Sequence, residues 1–267
     1  VAILIWGCVF CAIAALCIFL SSNYDREKRR YLILMESFAS LLLLMDAMAH
    51  IFSGYPGVPG SVMVCISSFL VFLLSDVFLL CFHIYVCVYL FSKKERRTLK
   101  RVKAGYVIAA AGVAFVVISQ FTHWYYYIDG DNCYHRAPLY IMSILLPAAG
   151  LLIDHTLLLQ YKKRVSRKLL FSMLSCVVLP AVAAAVQAFW YGMSLIEFSV
   201  GISMIIMFIV TMTELNQEMY QLISREGKIK ERLEIATILN KCIAELISGE
   251  DEDAAILFHG VLLPKDT

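Results

Sequence analysis

The stretch FLLSDVFLLCFHIYVCVYLFSKKERRTLKRVK (72–103) places a long apolar run directly before a strongly basic one. Its first twenty residues contain only Asp76 and His83 as acidic or basic side chains, and the next twelve contain seven lysines and arginines. The hydrocarbon core of a bilayer is about 30 Å thick, and about 20 apolar residues in a helix cross it. The stretch therefore predicts a transmembrane helix that ends at a basic membrane surface.

The composition of the whole chain supports the same environment. Of its 267 residues, 61% are hydrophobic and 16% are charged, and the mean hydropathy is +0.77. A soluble domain is about 45–50% apolar and about 25% charged. The chain starts at Val1 inside an apolar run that has no basic segment before it. We therefore expect a fragment of a membrane protein, without a signal peptide at this end.

Seven apolar runs are long enough to cross the bilayer. Their backbone polar groups cannot be left bare in lipid, so each run should be a helix. The predicted fold class is an all-α membrane protein, a seven-transmembrane-helix bundle in residues 1–212 followed by a cytoplasmic coiled-coil signalling helix. The predicted spans are 1–20, 31–52, 61–91, 105–123, 138–160, 169–190 and 195–212.

The basic residues predict the direction of the spans. Sixteen of the seventeen lysines and arginines before residue 213 lie in alternate loops, namely 25–30, 92–103 and 161–168. Loops rich in lysine and arginine stay in the cytoplasm. We therefore expect a multi-pass protein of the cell membrane, with the amino end outside and everything after residue 212 in the cytoplasm. The basic loops contain few aromatic residues, so we interpret them as contacts to lipid headgroups and not to nucleic acid.

The loop HWYYYIDGDNCYHRAPLY (123–140) should then face outward. Its tryptophan and tyrosines fit an aromatic belt at the membrane interface, and DGDN (129–132) is a tight-turn sequence. A belt and a turn explain less readily why two aspartates, a histidine and an arginine share this loop. A loop that contacts a ligand stays open as a second interpretation.

Several ionisable residues lie at membrane depth, where such groups are costly and usually face the bundle interior or a wet cavity. Asp46 and His50 are four residues apart and share one helix face. With Gln120, they are candidates for an outward-facing pocket. The candidate ligand-sensing residues are Asp46, His50, His123, Asp129, Asp131, His135, Arg136 and Glu197.

Three interpretations of these groups stay open: pairs that hold the bundle together, a ligand pocket, and an ion path through Asp76, His83, Asp154 and His155. The sequence contains no phosphate-binding glycine loop and no hydrolase or zinc-protease motif. We expect no catalytic site, no metal site and no cofactor in this chain, and an unknown small ligand as partner.

The residues after the last span follow a different hydrophobic period. Apolar side chains recur alternately three and four residues apart, as in a coiled coil, with Glu226 and Asn240 at two of the positions. A buried asparagine can fix the register of a two-stranded coil, so Asn240 is the candidate register residue. We expect a homodimer through residues 213–247, with a solvated amphipathic helix that lies on the protein itself as the alternative. The apolar positions are Leu215, Met219, Leu222, Ile229, Leu233, Ala236, Ile243 and Ile247.

The chain resembles the amino-terminal sensory region of bacterial membrane-bound GGDEF proteins, the diguanylate cyclases. The resemblance rests on NYDREKRRYLILMESFASLLLLMDAMAHIFSGYPG (23–57), FLLSDVFLLCFHIYVCVYLF (72–91) and YYYIDGDNCYHRAPLY (125–140). It implies a sensory module that controls a cytoplasmic output domain. Cyclase activity would belong to that domain, because this sequence contains no GGDEF stretch.

Residues 231–256 are also similar to the first helix of a GAF-type domain, which the residues after them do not continue. We therefore expect residues 248–267 to be the truncated start of an output domain, GAF-like or of another kind. Two alternatives remain for the chain as a whole: the input region of a sensor histidine kinase, and a small-solute transporter or channel.

Overall fold

The computed structural model describes residues 1–21, 25–189 and 194–248. The chain divides into two compact units between Met212 and Thr213, and we call the first unit the helix bundle. Within the described ranges, seven helices are long and apolar enough to cross a membrane. The helices are α1 (Ala2–Leu20), α2 (Arg26–Phe52), α3 (Val58–Leu90), α4 (Lys93–Thr98), α5 (Lys100–Thr122), α6 (Met142–Gln160), α7 (Arg167–Phe189) and α8 (Leu195–Ser248).

The predicted spans agree with these helices to within a few residues at most ends. Several helices begin earlier than their apolar runs because the basic loops are themselves partly helical. The Asp25 side chain caps α2, accepting hydrogen bonds from the backbone N–H groups of Glu27 at 3.0 Å and Lys28 at 3.1 Å. Such a cap satisfies N–H groups that lack a partner in the first helical turn. The helix therefore starts five residues before the run predicted from hydropathy alone.

Helix α2 packs against α1 and α3, and α3 in turn packs against α5, α6 and the loop after α5. The buried side chains of α2, among them Leu32, Met35 and Leu43, form one core with α3, α6, α7 and the part of α8 in the bundle. Large apolar side chains such as Trp6 and Phe121 are instead exposed. Exposed apolar side chains of this kind are expected where the solvent is lipid.

The loop between α3 and α5 contains the short helix α4, which the sequence did not predict. Ser92 and Glu95 form a capping box at its start, with the Glu95 carboxylate 2.8 Å from the Ser92 backbone nitrogen. That backbone hydrogen bond, together with the Ser92 side chain and Arg164, lowers the pKa of Glu95. Arg96 reaches back to α2 and donates from Nη1 and Nη2 to the two Glu27 oxygens at 2.9 and 3.1 Å. These contacts join the basic loops to one another.

The loop between α5 and α6 forms a small antiparallel hairpin, strands β1 (Tyr126–Ile128) and β2 (Tyr134–Arg136). Its tyrosines do not all serve as an aromatic belt. Tyr125 and Tyr126 are buried against Phe72 of α3, and burial raises the pKa of both phenols to about 12. Tyr127 alone of the three consecutive tyrosines is exposed. The hairpin is thus packed onto the bundle through its rings.

Helix α8 continues through the predicted linker, residues 213–247. In this second unit the apolar heptad side chains Leu222, Ile229 and Leu233 are more than half exposed, at 55%, 66% and 66%. The linker is helical, as predicted. The pairing of two such helices stays a prediction. The expected output segment lies almost entirely outside the described residues, as does the side chain of Ile247.

Candidate functional site

A cavity of about 260 Å³ lies beneath the hairpin, at the end of the bundle away from the basic loops; we call it the outer cavity. Helices α2, α3, α7 and α8 and the hairpin all contribute to its wall. Four of the eight candidate ligand-sensing residues line it: Asp46, His50, Arg136 and Glu197. Other polar or aromatic residues in the wall are Ser53, Ser68, Phe72, Tyr134, Tyr140, Gln187 and Ser194.

Asp46 and His50 lie on one face of α2, as their spacing predicts. His50 Nε2 is 3.8 Å from Asp46 Oδ1 and 2.7 Å from the Ser194 hydroxyl, which also lies beside the Asp46 carboxylate. The other carboxylate oxygen, Asp46 Oδ2, is buried and has no hydrogen-bond partner among the described residues. A buried acceptor without a donor is energetically unfavourable by about 1–3 kcal/mol. One acceptor is therefore left to pair with a molecule in the cavity.

Glu197 presents the same feature from the first turn of α8. Its Oε2 atom is buried, and no donor in the part of the chain that the structure describes reaches it. Arg136 of the hairpin lies over the Tyr140 ring, 4.5 Å from its centre. The Gln187 side-chain oxygen accepts from the Ile196 backbone N–H at 3.0 Å, which fixes the start of α8 against α7.

A second cavity of about 380 Å³, the inner cavity, adjoins the first. Phe72, Tyr140 and Glu197 line both of them. The inner wall is mainly aliphatic, with Asp76 of α3 and His155 of α6 among its few ionisable side chains. His155 Nδ1 is buried and also lacks a hydrogen bond within the described ranges.

Asp129, Asp131 and His135 lie in the hairpin and do not line either cavity. Asp129 Oδ1 accepts from the backbone N–H groups of Asp131 at 3.0 Å and Cys133 at 2.8 Å, and its Oδ2 accepts from His135 Nε2 at 2.7 Å. The Cys133 N–H, followed by the His135 hydrogen bond, lowers the pKa of Asp129. Within the chain, Asp129 therefore organises the turn.

His123 and Gln120 also lie away from the outer cavity. His123 ends α5 in the left-handed conformation at φ 52°, a role in the turn rather than in a pocket. The Gln120 side-chain amide donates to the Tyr126 hydroxyl at 2.8 Å and so anchors the hairpin.

Asn132, which no sequence motif marks as functional, attaches the hairpin to the loop between α2 and α3. Its side-chain amide donates to the carbonyls of Tyr55 at 2.9 Å and Gly57 at 3.3 Å, and its own carbonyl accepts from Gly54 N–H at 3.1 Å. The hairpin is thus fixed at both its aromatic and its turn end. It forms a fixed cover over the outer cavity.

Deeper in the bundle, His83 of α3 and Asp154 of α6 form a buried pair, with His83 Nδ1 2.6 Å from Asp154 Oδ1. This pair matches the structural interpretation of the ionisable groups. In the described part of the chain, no three His, Cys, Asp or Glu side chains are arranged to bind a metal ion.

Comparison with protein-family models, with curated proteins and with solved structures finds no match to this chain. The geometry of the two cavities and the sequence pattern are therefore the basis for a functional assignment.

Proposed function

We propose that this chain is the membrane sensory module of a bacterial signal-transduction protein, relaying the binding of a small ligand to a cytoplasmic output domain. The single observation that carries the proposal is the outer cavity, with two buried carboxylate oxygens that have no partner among the described residues. Pockets with a few convergent polar groups in an apolar wall are typical of small-molecule sites.

The orientation in this proposal follows from the loop charges. The three basic loops lie at one end of the spans by connectivity, and the hairpin and outer cavity lie at the other. Because lysine- and arginine-rich loops stay inside, the outer cavity would open to the exterior. The second unit would then be cytoplasmic.

Helix α8 is the proposed relay. Glu197 in its first turn lines the outer cavity, and the exposed heptad positions belong to the same helix. A ligand that binds one arrangement of α8 more tightly than another shifts the population towards it. Two linker helices paired through their heptads would pass that shift to the output domains as a change in register, tilt or rotation.

The proposed output is a GGDEF diguanylate cyclase, on the strength of the resemblance in the loops and spans. The test is the cyclic di-GMP level in cells that express the full-length protein. Asp46→Asn and Glu197→Gln should each change that level at equal expression, whereas Asp131→Asn, a carboxylate outside the cavity, should not. If neither cavity variant changes the output, the sensory proposal fails. If the output is autophosphorylation instead, the histidine kinase alternative replaces the cyclase.

A transporter is the second candidate, and one observation favours it. Asp76 lines both the inner cavity and a void of about 20 Å³ that also borders the His83–Asp154 pair. These groups would form the inner steps of an ion path. A transporter predicts flux in proteoliposomes that Asp76→Ala and Asp154→Ala abolish, whereas a sensor shows no flux before either substitution.

A further inference from the structure

We propose that the two cavities together bind a cationic amphiphile: an ammonium head group in the outer cavity and a short apolar chain in the inner one. The inference rests on the proposed function and names the ligand class of the same site. It starts from the shared wall, since Phe72, Tyr140 and Glu197 border both cavities. The two cavities therefore adjoin at these side chains, and the proposed ligand would pass between them.

The wall of the outer cavity contains acceptor atoms that lack a hydrogen-bond donor within the described residues. Asp46 is 7% exposed, and its buried Oδ2 atom has no donor within the described residues. The Oε2 atom of Glu197 is also buried and also lacks a donor there. An ammonium group carries three donors and a positive charge, so it can supply the donor that these carboxyl oxygens lack. Hydrogen bonds between charged partners are also about twice as strong as neutral ones.

The polar groups of the outer cavity favour a donor head group over an anionic one. Two carboxyl groups, Asp46 and Glu197, face one guanidinium, that of Arg136, which also contacts the Tyr140 ring. The remaining basic side chain, His50, is hydrogen-bonded with Ser194. An incoming carboxylate or phosphate would add acceptors beside two carboxyl oxygens that already lack a donor within the described residues, whereas an ammonium group supplies donors.

The inner cavity fits the apolar part of such a molecule. Its volume of about 380 Å³ lies in the usual range for small-ligand pockets, roughly 300–1,000 Å³, and its wall is mostly aliphatic. Three of its lining side chains are strongly exposed: Leu152 of α6, with Val178 and Val182 of α7. In the proposed arrangement these side chains border the bilayer, and an amphiphile dissolved in it would enter the inner cavity from the side.

The experiment uses the full chain in lipid nanodiscs, with n-octylammonium, ethylammonium, 1-octanol and octanoate as probes. The readout is the unfolding temperature, which a molecule that binds only the folded state raises. Octylammonium should raise the unfolding temperature in a saturable manner. Each of the other three probes should need at least a tenfold higher concentration to give the same shift. Equal effects of octylammonium and octanol, or of octylammonium and octanoate, would overturn the proposed role of the charge. Equal effects of octylammonium and ethylammonium would overturn the role of the inner cavity.

Variants separate the two halves of the site. Asp46→Asn and Glu197→Gln keep the side-chain shape and should each weaken octylammonium binding at least tenfold, while Asp129→Asn, in the turn, should leave it unchanged. Ala148→Phe fills the inner cavity and should remove the preference for octylammonium over ethylammonium. If the cavity variants bind octylammonium as tightly as the native chain, the inference is wrong.

The binding data and the signalling output can fail separately. If the cavity variants alter cyclic di-GMP but octylammonium does not bind, the sensory proposal survives and the ligand class is wrong. If octylammonium binds through Asp46 and Glu197 but no output responds, the ligand class is right and the sensory proposal is wrong.

Discussion

His83 Nδ1 lies 2.6 Å from Asp154 Oδ1, while the opposite ring nitrogen, Nε2, lies 3.0 Å from the Val102 carbonyl oxygen. A carbonyl oxygen only accepts hydrogen bonds, so Nε2 must carry a proton. The Cys87 sulfur is farther from Nε2, at 3.7 Å. One further proton then lies between Nδ1 and Oδ1, and the pair is neutral overall whichever atom holds it. This arrangement joins α3, α5 and α6 without leaving a net charge inside the membrane.

Removing one partner of this pair should be costly. Asp154→Ala leaves a buried imidazole nitrogen without a partner, and we expect a loss of about 1–3 kcal/mol in unfolding free energy. Asp154→Asn should cost clearly less, because its amide can donate to Nδ1 while Nε2 still donates to Val102. Thermal unfolding in nanodiscs measures both. Equal losses in the two variants would show that the hydrogen bond does not stabilise the bundle.

Gly105 of α5 provides the space for the His83 ring. A Cβ atom at Gly105 would overlap the imidazole, which also makes an edge-to-face contact with the Tyr106 ring at a ring-centre distance of 5.1 Å. We therefore expect Gly105→Ala to lose about 1–3 kcal/mol through overpacking. Gly150→Ala is the matched control, since its Cβ would lie 3.8 Å from Ile108 Cγ2, an ordinary contact. That variant should be neutral or slightly stabilised. Similar losses in both variants, in the same unfolding assay, would contradict this packing.

The spacing of Asp76 and His83 carries more information than hydropathy reveals. These residues are two helical turns apart on α3, and each packs against a glycine of α5, Gly112 and Gly105, which are also two turns apart. Small residues let membrane helices approach closely, so the paired spacings fit one antiparallel interface. Hydropathy predicted both helices because length and apolarity suffice for a span. It did not predict which polar side chain meets which glycine, because that depends on the rotation of each helix.

The turn of the hairpin should depend on the ionised form of Asp129. Its pKa is lowered in the folded chain, first by the Cys133 N–H. The stabilisation is therefore complete above the ordinary aspartate pKa of about 3.9 and is lost as the pH falls through the lower folded value. Protection of the Asp131 and Cys133 amides against hydrogen exchange should be constant from about pH 7 to 5 and fall below about pH 4.

Two variants separate this effect from general acid unfolding. Asp129→Asn should lower the protection of those amides already at neutral pH and flatten its dependence on acid. Asp131→Asn, whose side chain is exposed, should retain the native profile. A loss of protection between pH 7 and 5, or the same profile in both variants, would refute the role of Asp129.

Four of the candidate residues line one cavity, and sequence pattern explains part of that placement. The i, i+4 spacing places Asp46 and His50 on one helix face, and the alternation of the spans places the hairpin with Arg136 and the start of α8 with Glu197 at the same end of the bundle. Ser194 and Gln187 were missed because serine and glutamine at span ends carry no distinctive signal. Asp129 and His135 were candidates for a ligand contact or for a turn, and the structure pairs them with each other in the hairpin. A loop's backbone path decides where its charges point, and composition does not contain that path.

Cys133 offers a direct test of the proposed orientation. It lies in the hairpin and is partly exposed. A membrane-impermeant thiol reagent should label it on intact cells, and Cys133→Ser should remove that labelling. Cys242, in the proposed cytoplasmic linker, should react only after permeabilisation, with Cys242→Ser as its control. The proposed orientation rests on the charges of the loops. Labelling of Cys133 only in permeabilised cells would reverse it.

The linker should form a parallel two-stranded coil through its exposed apolar positions. Ile229 is 66% exposed and falls at a seam position of the heptad, whereas Glu231 falls on the opposite side of the helix. In a Cys242→Ser background of the full-length protein in membranes, mild oxidation should cross-link Ile229→Cys into a dimer. Glu231→Cys should cross-link far less, because its thiols would lie on the outer surface of the coil. Equal cross-linking at both positions would indicate random collision of single helices. It would also remove the proposed route from Glu197 to an output domain.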